Sequence, residues 1–403
     1  MFLELAHTDA HKTTRAAMAH VAKGVEVVEA DVVGVGEPEP QHPAALVEGE
    51  TQKLNAVYCL DTTGSMQEYI NGAKAVIQDA TAKLNSANVK QSVVFFKDHP
   101  PQDTTYVTKI EGPTTDVQSI VTAMGNEVAS GGGDAPEAID AALHEARVLL
   151  NDADSDATKI VVIITDAPPH GIGVLGDGFS QGTEAKGGWD PVREANALTA
   201  IGARIYCVLA PRALRDGRTA AFYKGIADKS GGRVIPLAPP SSQEGRNGLL
   251  QALYGLADES IEEDGRILAV GRLMTERQEE YPDEDLEQSQ EAVYRALSQS
   301  GTTTSELVVA ETPIGADHSN IFKDAATLAE AMSGAKSAVF EESDTPVYRH
   351  LSAPPYRNLS ATAPPAKRKS DDELALPRAT KRAISRDDVS RAFTRYTSKS
   401  ATA

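Results

Sequence analysis

Residues 55–66 read NAVYCLDTTGSM, an apolar run that ends on Asp61 and is followed by hydroxyls at Thr63 and Ser65. The run recurs in kind at QSVVFF (91–96), KIVVIITD (159–166), ARIYCVLA (203–210) and RVIPLA (233–238), with TYVTKI (105–110) as a more polar counterpart. Between them the pattern predicts helices over Gln67–Leu84, Asp116–Glu127, Pro136–Leu150, Pro191–Ile201 and Thr219–Asp228. Continuous β-branched runs belong to strands buried on both faces. With helices between them they predict a mostly parallel sheet with crossover helices, a doubly wound α/β domain. The roughly 200 residues from 51 to 256 suffice for its core.

In open α/β sheets ligands bind beyond the carboxyl ends of the strands, where the strand order reverses. Asp61, Thr63 and Ser65 alternate just past the end of the first strand, so their oxygens can converge on one point above it. The KIVVIITD strand ends in Asp166, which a doubly wound sheet brings to the same crevice. Carboxylate and hydroxyl oxygens are hard ligands, suited to Mg²⁺, Mn²⁺ or Ca²⁺ and poor for zinc. Two plainer readings compete. Thr63 and Ser65 are also good helix N-caps, and Asp61 a good turn former. Asp-x-Thr also matches a phosphatase nucleophile, but Thr63 stands where the general acid would be needed.

YCLDTTGSM resembles the DxSxS (DxTxS) element of the von Willebrand factor type A domain, whose metal-ion-dependent adhesion site lies at this switch point. IITDAPPHG is similar to the third loop of that family, and GGGDAPEAIDAALHEA to its second. FFKDHPP, GGGDAPE and ITDAPPHG together resemble the type A domains of the α-kinase-associated and fungal cytosolic group. The resemblance implies the sheet order 3-2-1-4-5-6, with TYVTKI as an antiparallel edge strand. It also implies a divalent cation, Mg²⁺ first among the candidates, held by Asp61, Thr63, Ser65, Asp134 and Asp166. The implied function is non-catalytic: binding of a protein partner through an acidic residue that completes the coordination. Asp134 stands where the family usually has Thr. Three ionised carboxylates would over-neutralise a dication, which predicts a firmly held ion and weakened attraction for a partner's carboxylate. Asp134 is alternatively a cap for a helix starting at Ala135-Pro136.

Charge is unevenly spread along the 403 residues. Residues 347–403 carry 12 basic and 5 acidic residues, a net +7, whereas the rest carries 27 against 53, or −26. A body this acidic repels phosphate backbones, which argues against nucleic-acid binding by the α/β domain. Two cysteines, Cys59 and Cys207, exclude a disulfide scaffold or a four-cysteine zinc site and read as buried thiols. The first twelve residues lack a positively charged start, and no run of 18 apolar residues occurs, so neither a signal peptide nor a membrane span is expected. A cytoplasmic protein is the resulting expectation. Basic clusters at 367–369 and 378–382 would serve as a nuclear signal or an anionic-partner patch.

Other signals are weaker. His7 and His11 have metal-ligand spacing but no third ligand nearby. Asp98, His99 and His170 fall just past strand ends and can line the same rim, the one hint of catalysis, as a metal-dependent hydrolase. GIGVLG (171–176) fits a dinucleotide fingerprint formally, but no helix follows; it reads as a surface insertion able to fold over the site. Asp152, Asp154 and Asp156 mimic an EF-hand start without its Gly and Glu. Residues 1–50 are an N-terminal extension and 257–340 an acidic helical appendage. Residues 341–403 form a disordered basic tail in which Arg386–Tyr396 is a helix that forms on binding. The roughly 150 residues after the α/β domain are too few and too acidic for a kinase core. A kinase-associated regulatory subunit, or a scaffold with a vestigial site, competes with the partner-binding module.

Overall fold

The computed structural model describes residues 53–67, 69–71, 89–153, 157–183, 188–237, 243–308, 318–340 and 378–402, all within the unit Pro43–Ala403. His7, His11, most of the helix expected from Gln67, Asp154, Asp156 and the basic cluster at 367–369 lie outside the described residues. Strands β1 (Leu54–Asp61), β2 (Val89–Phe96), β3 (Thr108–Thr114), β4 (Thr158–Thr165), β5 (Arg204–Leu209) and β6 (Val234–Pro236) form one sheet in the order β3-β2-β1-β4-β5-β6. Only β3 runs antiparallel to its neighbour. The edge strand begins three residues later than TYVTKI suggests. Thr105 folds onto the Asp103 carboxylate, and the Tyr106 hydroxyl is held by Thr62 and Glu127, which keeps both residues in the preceding loop.

The helices are α1 (Val117–Asn126), α2 (Ile139–Asn151), α3 (Pro191–Ala200), α4 (Pro211–Arg215), α5 (Gly217–Ser230), α6 (Gln243–Glu280), α7 (Leu286–Gln299), α8 (Ser319–Asp324), α9 (Leu328–Gly334) and α10 (Arg386–Thr402). Alternate strand residues feed two cores. Val57, Cys59, Val161, Ile163 and Ile205 pack under α2, α3 and α5, and α8 and α9 add Phe322, Leu328 and Met332. Tyr58, Leu60, Val93, Val162 and Tyr206 face the other way, against Ile120 and Met124 of α1 and Leu256 and Ala257 of α6. Truncating a strand residue such as Ile163, which is fully buried, to Ala would cost about 2–5 kcal/mol.

Caps fix several helix starts that position the rim. Asp190 accepts the Val192 and Arg193 N–H groups with Pro191 in the first turn, and Asp216 accepts that of Thr219. α2 begins at Ile139, not Pro136, because the residues before it are used otherwise. The Glu137 N–H donates to the Pro168 carbonyl and the Ala138 N–H to that of Lys97, so the segment runs extended between the ends of β2 and β4. Asp134 therefore does not cap that helix.

The C-terminal half departs from the sequence expectation in two places. α6 runs unbroken across residue 256, where the sequence pattern ends the α/β domain. Arg204 of β5, largely buried, holds it through Asp264 at 2.8 and 3.2 Å. Strand β7 (Thr303–Val308) pairs antiparallel with β8 (Arg378–Ala383), and α10 packs Val389 and Ala392 against Ile267, Val270 and Met274 of α6 and Val293 and Leu297 of α7. The last stretch of the basic tail is thus ordered, and the surface that Arg386–Tyr396 folds against is the chain itself. Its apolar stripe is short, and only the distant helices α6 and α7 complete the core. Arg382, in the second basic cluster, is taken up by Asp388.

Candidate metal centre

The Leu60–Ile164 pairing sets the ends of β1 and β4 level. Asp61 is fully buried there. Its Oδ1 accepts the Thr63 N–H at 2.9 Å and the Thr63 hydroxyl at 2.7 Å, and its Oδ2 accepts the Thr165 hydroxyl at 2.7 Å. Ser65 Oγ lies 3.3 Å from Thr63 Oγ1 and donates to Asp166 Oδ1 at 2.8 Å. Thr62 points the other way, to the Phe96 carbonyl. Asp61, Thr63, Ser65 and Asp166 are thus brought together as expected, and Ser65 opens the group to solvent. Asp61 does form the turn expected of it, accepting the Thr63 N–H, but capping does not account for the hydroxyls: the short helical turn Gly64–Met66 has no side-chain cap, and the hydroxyls address carboxylates at the ends of two strands.

Asp134 is turned elsewhere. Its Oδ2 accepts the Gly178 N–H at 2.9 Å and faces the Gln102 amide at 3.4 Å, and its Oδ1 is buried without a partner among the described residues. The second-loop acid beside Thr63 is Glu137, buried and with Oε2 unpartnered. The glycine loop makes this approach. Gly131 and Gly132 have φ of +76° and +82°, and a Cβ on Gly132 would stand 2.9 Å from Glu137 Oε1 and 3.3 Å from the Thr63 Cβ. The Gly64 N–H donates to the Gly131 carbonyl, and the buried Lys97 ammonium binds the Thr62 and Ser130 carbonyls, so first and second loops are locked together. In the sequence the one sign of Glu137 is an acid directly before the apolar run of α2.

Burial, then the charges of Asp61, Asp98 and Asp166, push the Glu137 carboxyl up to about 10. Burial and Asp166 likewise push Asp61 up to about 6, against the hydrogen bonds from Thr63 and Thr165. Among the described residues the side-chain cation that reaches Asp166 is Arg212, at 3.7 Å and half exposed. The donor set fits a hard dication. All its atoms are oxygen, and the 3.3 Å hydroxyl spacing is close to the roughly 3 Å between neighbouring oxygens around Mg²⁺. Asp61, Thr63, Ser65 and Asp166 would hold the ion.

A second cluster lies under the Gly-rich insertion. Ligand atoms of Asp98, Asp134 and His170 all fall within 4.8 Å of one another. His170 Nε2 is 2.6 Å from Asp98 Oδ1 and Nδ1 is 3.0 Å from Asp177 Oδ1. Burial would lower the His170 imidazole, but the hydrogen bonds to Asp177 and Asp98 outweigh it and hold it up at about 9. His99 turns to Asp140 at 2.9 Å, which also accepts the Trp189 N–H. The insertion folds back through Gly182 N–H to the Gly171 carbonyl and lays Phe179 edge-on against His170. It covers this second cluster rather than Asp61.

All the acids above except Asp177 fall inside one stretch with a known family pattern. Residues 56–169 match the family model of the von Willebrand factor type A domain. The match holds β1 to β4 and all three loops of the rim; β5 and β6 complete the sheet beyond it. No curated protein sequence matches the chain. Among solved structures, the pilus adhesin SpaC of Lactobacillus rhamnosus GG in an open conformation is similar at 14% identity and a TM-score of 0.40, over 52% of this chain and 30% of the adhesin. A second structure of SpaC is similar at 12% identity and a TM-score of 0.39, over 52% and 31%. The chain thus spans about a third of the length of these adhesins. Among the described residues no helix is long and apolar enough to cross a membrane.

Proposed function

We propose that the type A domain carries a divalent cation, Mg²⁺ by its oxygen-only ligands, at Asp61, Thr63, Ser65 and Asp166, and that it binds a protein partner there without catalysis. The observation that carries this reading is the convergence of two carboxylates and two hydroxyls from different strands at one solvent-facing point. When bound, the ion supplies positive charge at the mouth of the rim. Asp61 and Asp166 match its two charges, Thr63 and Ser65 orient it, and a partner's Asp or Glu would approach past Ser65. With Asp134 outside the ligand set, the over-neutralisation that the sequence suggests is relieved. Asp98 and Asp134, against His170, are the further acids of the domain with metal-like grouping.

The test is an array of acidic and amide-substituted peptides probed with the full chain in Mg²⁺ and in EDTA. Acidic peptides should be retained only in Mg²⁺ and be lost with Ser65→Ala. Equal retention in EDTA would overturn the proposal.

A further inference from the structure

We propose that Asp98, Asp134 and His170 form a second divalent-metal site, of a borderline transition-ion type such as Zn²⁺, roofed by the 171–182 insertion. It stands independently of the Mg²⁺ reading at Asp61. The acids alone would not make a site. Two observations point to a ligand. First, Asp98 is fully buried, its Oδ1 is occupied by the His99 N–H and His170 Nε2, both at 2.6 Å, and its Oδ2 has no partner among the described residues. Asp134 Oδ1 and the neighbouring Gln102 Oε1 are buried and unpartnered too. A buried acceptor oxygen left unsatisfied is costly, and three of them on neighbouring side chains call for something to enter.

Second, His170 is already set as a metal-binding histidine is set. Such residues almost always donate their other ring N–H to a carboxylate, backbone carbonyl or water, which fixes the tautomer and the ring orientation. Here Nδ1 meets Asp177 at 3.0 Å, and Asp177 is itself immobilised by the Gly171 N–H at 2.7 Å and the Phe179 N–H at 2.9 Å. Nε2 is left pointing at Asp98, 2.6 Å away. An entering cation replaces the proton on Nε2, which leaves to solvent, as Nε2 and Asp98 Oδ1 part from 2.6 Å to the roughly 3.3 Å between neighbouring tetrahedral ligands of Zn²⁺, while Nδ1–H stays on Asp177. One imidazole nitrogen with two carboxylates suits Zn²⁺ better than the all-oxygen set around Asp61 does.

The insertion supplies both the acid behind His170 and the cover. Asp177 and the Gly178 N–H that holds Asp134 belong to it, and a Cβ on Gly178 would strike the Gln102 amide at 2.5 Å.

The experiment uses the full chain, stripped with EDTA, returned to excess Mg²⁺ so that the Asp61 site is filled, and titrated with Zn²⁺ under equilibrium dialysis with elemental analysis. The expected result is one Zn²⁺ per chain in the wild type and in Asp61→Ala, and at least tenfold weaker binding in His170→Gln and in Asp134→Asn. Asp134→Asn preserves shape and guards against a folding failure at position 170. Co²⁺ in place of Zn²⁺ should give a visible absorption band that disappears in His170→Gln. Zn²⁺ binding that is absent from the wild type, that survives unchanged in both cluster variants, or that vanishes in Asp61→Ala instead would overturn the proposal. Loss of Mg²⁺ binding alone, with Zn²⁺ retained, would sink only the Asp61 reading.

Discussion

The rim above β1 and β4 and the C-terminal unit of α6, α7, β8 and α10 are both dense in acid, yet they neutralise it differently. In the C-terminal unit the chain supplies its own cations. Asp388 takes Arg382 through both oxygens and Arg391 through one, Glu284 takes Arg277, and Glu291 joins Arg295 to Arg386. At the rim, Asp61 meets hydroxyls and a backbone N–H, Glu137 keeps one oxygen bare, and Asp166 has a half-exposed arginine at a distance. In the C-terminal unit a structural acid is closed with an arginine. One that is left open marks a place for a cation from outside.

Asp388→Ala puts this contrast at greatest risk. Asp388 is buried and also accepts from the Ser385 N–H and hydroxyl, but Arg382 and Arg391 are 40% and 60% exposed and can turn to water. The loss should therefore lie at about 2–3 kcal/mol, below that of a fully buried pair. Hydrogen exchange of α10 should speed up while β1 and β4 are unaffected. An α10 as protected as in the wild type would mean that these arginines do not close the unit.

The two regions should also answer pH with opposite signs. Burial would raise the Asp388 carboxyl, but hydrogen bonds from Arg382 and Ser385 outweigh it and hold it well below the ordinary carboxylate range. Its stabilisation is full above the unfolded value and is lost as pH falls through the folded one. Glu137 is raised, so the folded state binds the extra proton between its ordinary value and about 10. Stability of the α/β domain in EDTA should then fall as pH rises through that window, and Mg²⁺ or Glu137→Gln should flatten the slope. Urea midpoints measured from acid to alkaline pH check both signs. A rising midpoint in EDTA would contradict the second.

Smaller effects concern the rim itself. Thr63→Ala removes a hydroxyl ligand and should weaken Mg²⁺ binding about tenfold in calorimetry, without touching α10 exchange. Asp134→Thr should leave Mg²⁺ affinity at Asp61 unchanged, because its carboxylate faces Gly178 and Gln102. A loss of affinity there as large as that of Thr63→Ala would return Asp134 to the ligand set.

The doubly wound sheet was legible because uniformly apolar runs spaced by helices admit little else, whereas its order and antiparallel edge followed from the resemblance of the loop motifs. Asp61, Thr63, Ser65 and Asp166 were legible because alternation past a strand end fixes direction. GGGDAPE offers two acids three residues apart, and which of them faces Thr63 rests on the positive φ of Gly131 and Gly132, which no local pattern declares. The Asp98–His170 pairing joins residues 72 apart, and Asp177 lies in an insertion without periodicity. For α10, Val389, Ala392, Phe393 and Tyr396 carry helical spacing, but their partners lie on α6 and α7, so composition alone reads the stretch as unstructured.

Whether the open acids at Asp61 and Asp166 await a dication is decided by the thermal midpoint in EDTA against added Mg²⁺, for the wild type and Asp61→Ala. An ion that binds only the folded state at a hundredfold excess over its Kd stabilises it by about 2.7 kcal/mol. A Mg²⁺-dependent rise is expected in the wild type and should be missing in Asp61→Ala. The same midpoint with and without Mg²⁺ in the wild type, or an equal rise in both proteins, would contradict a cation held at Asp61.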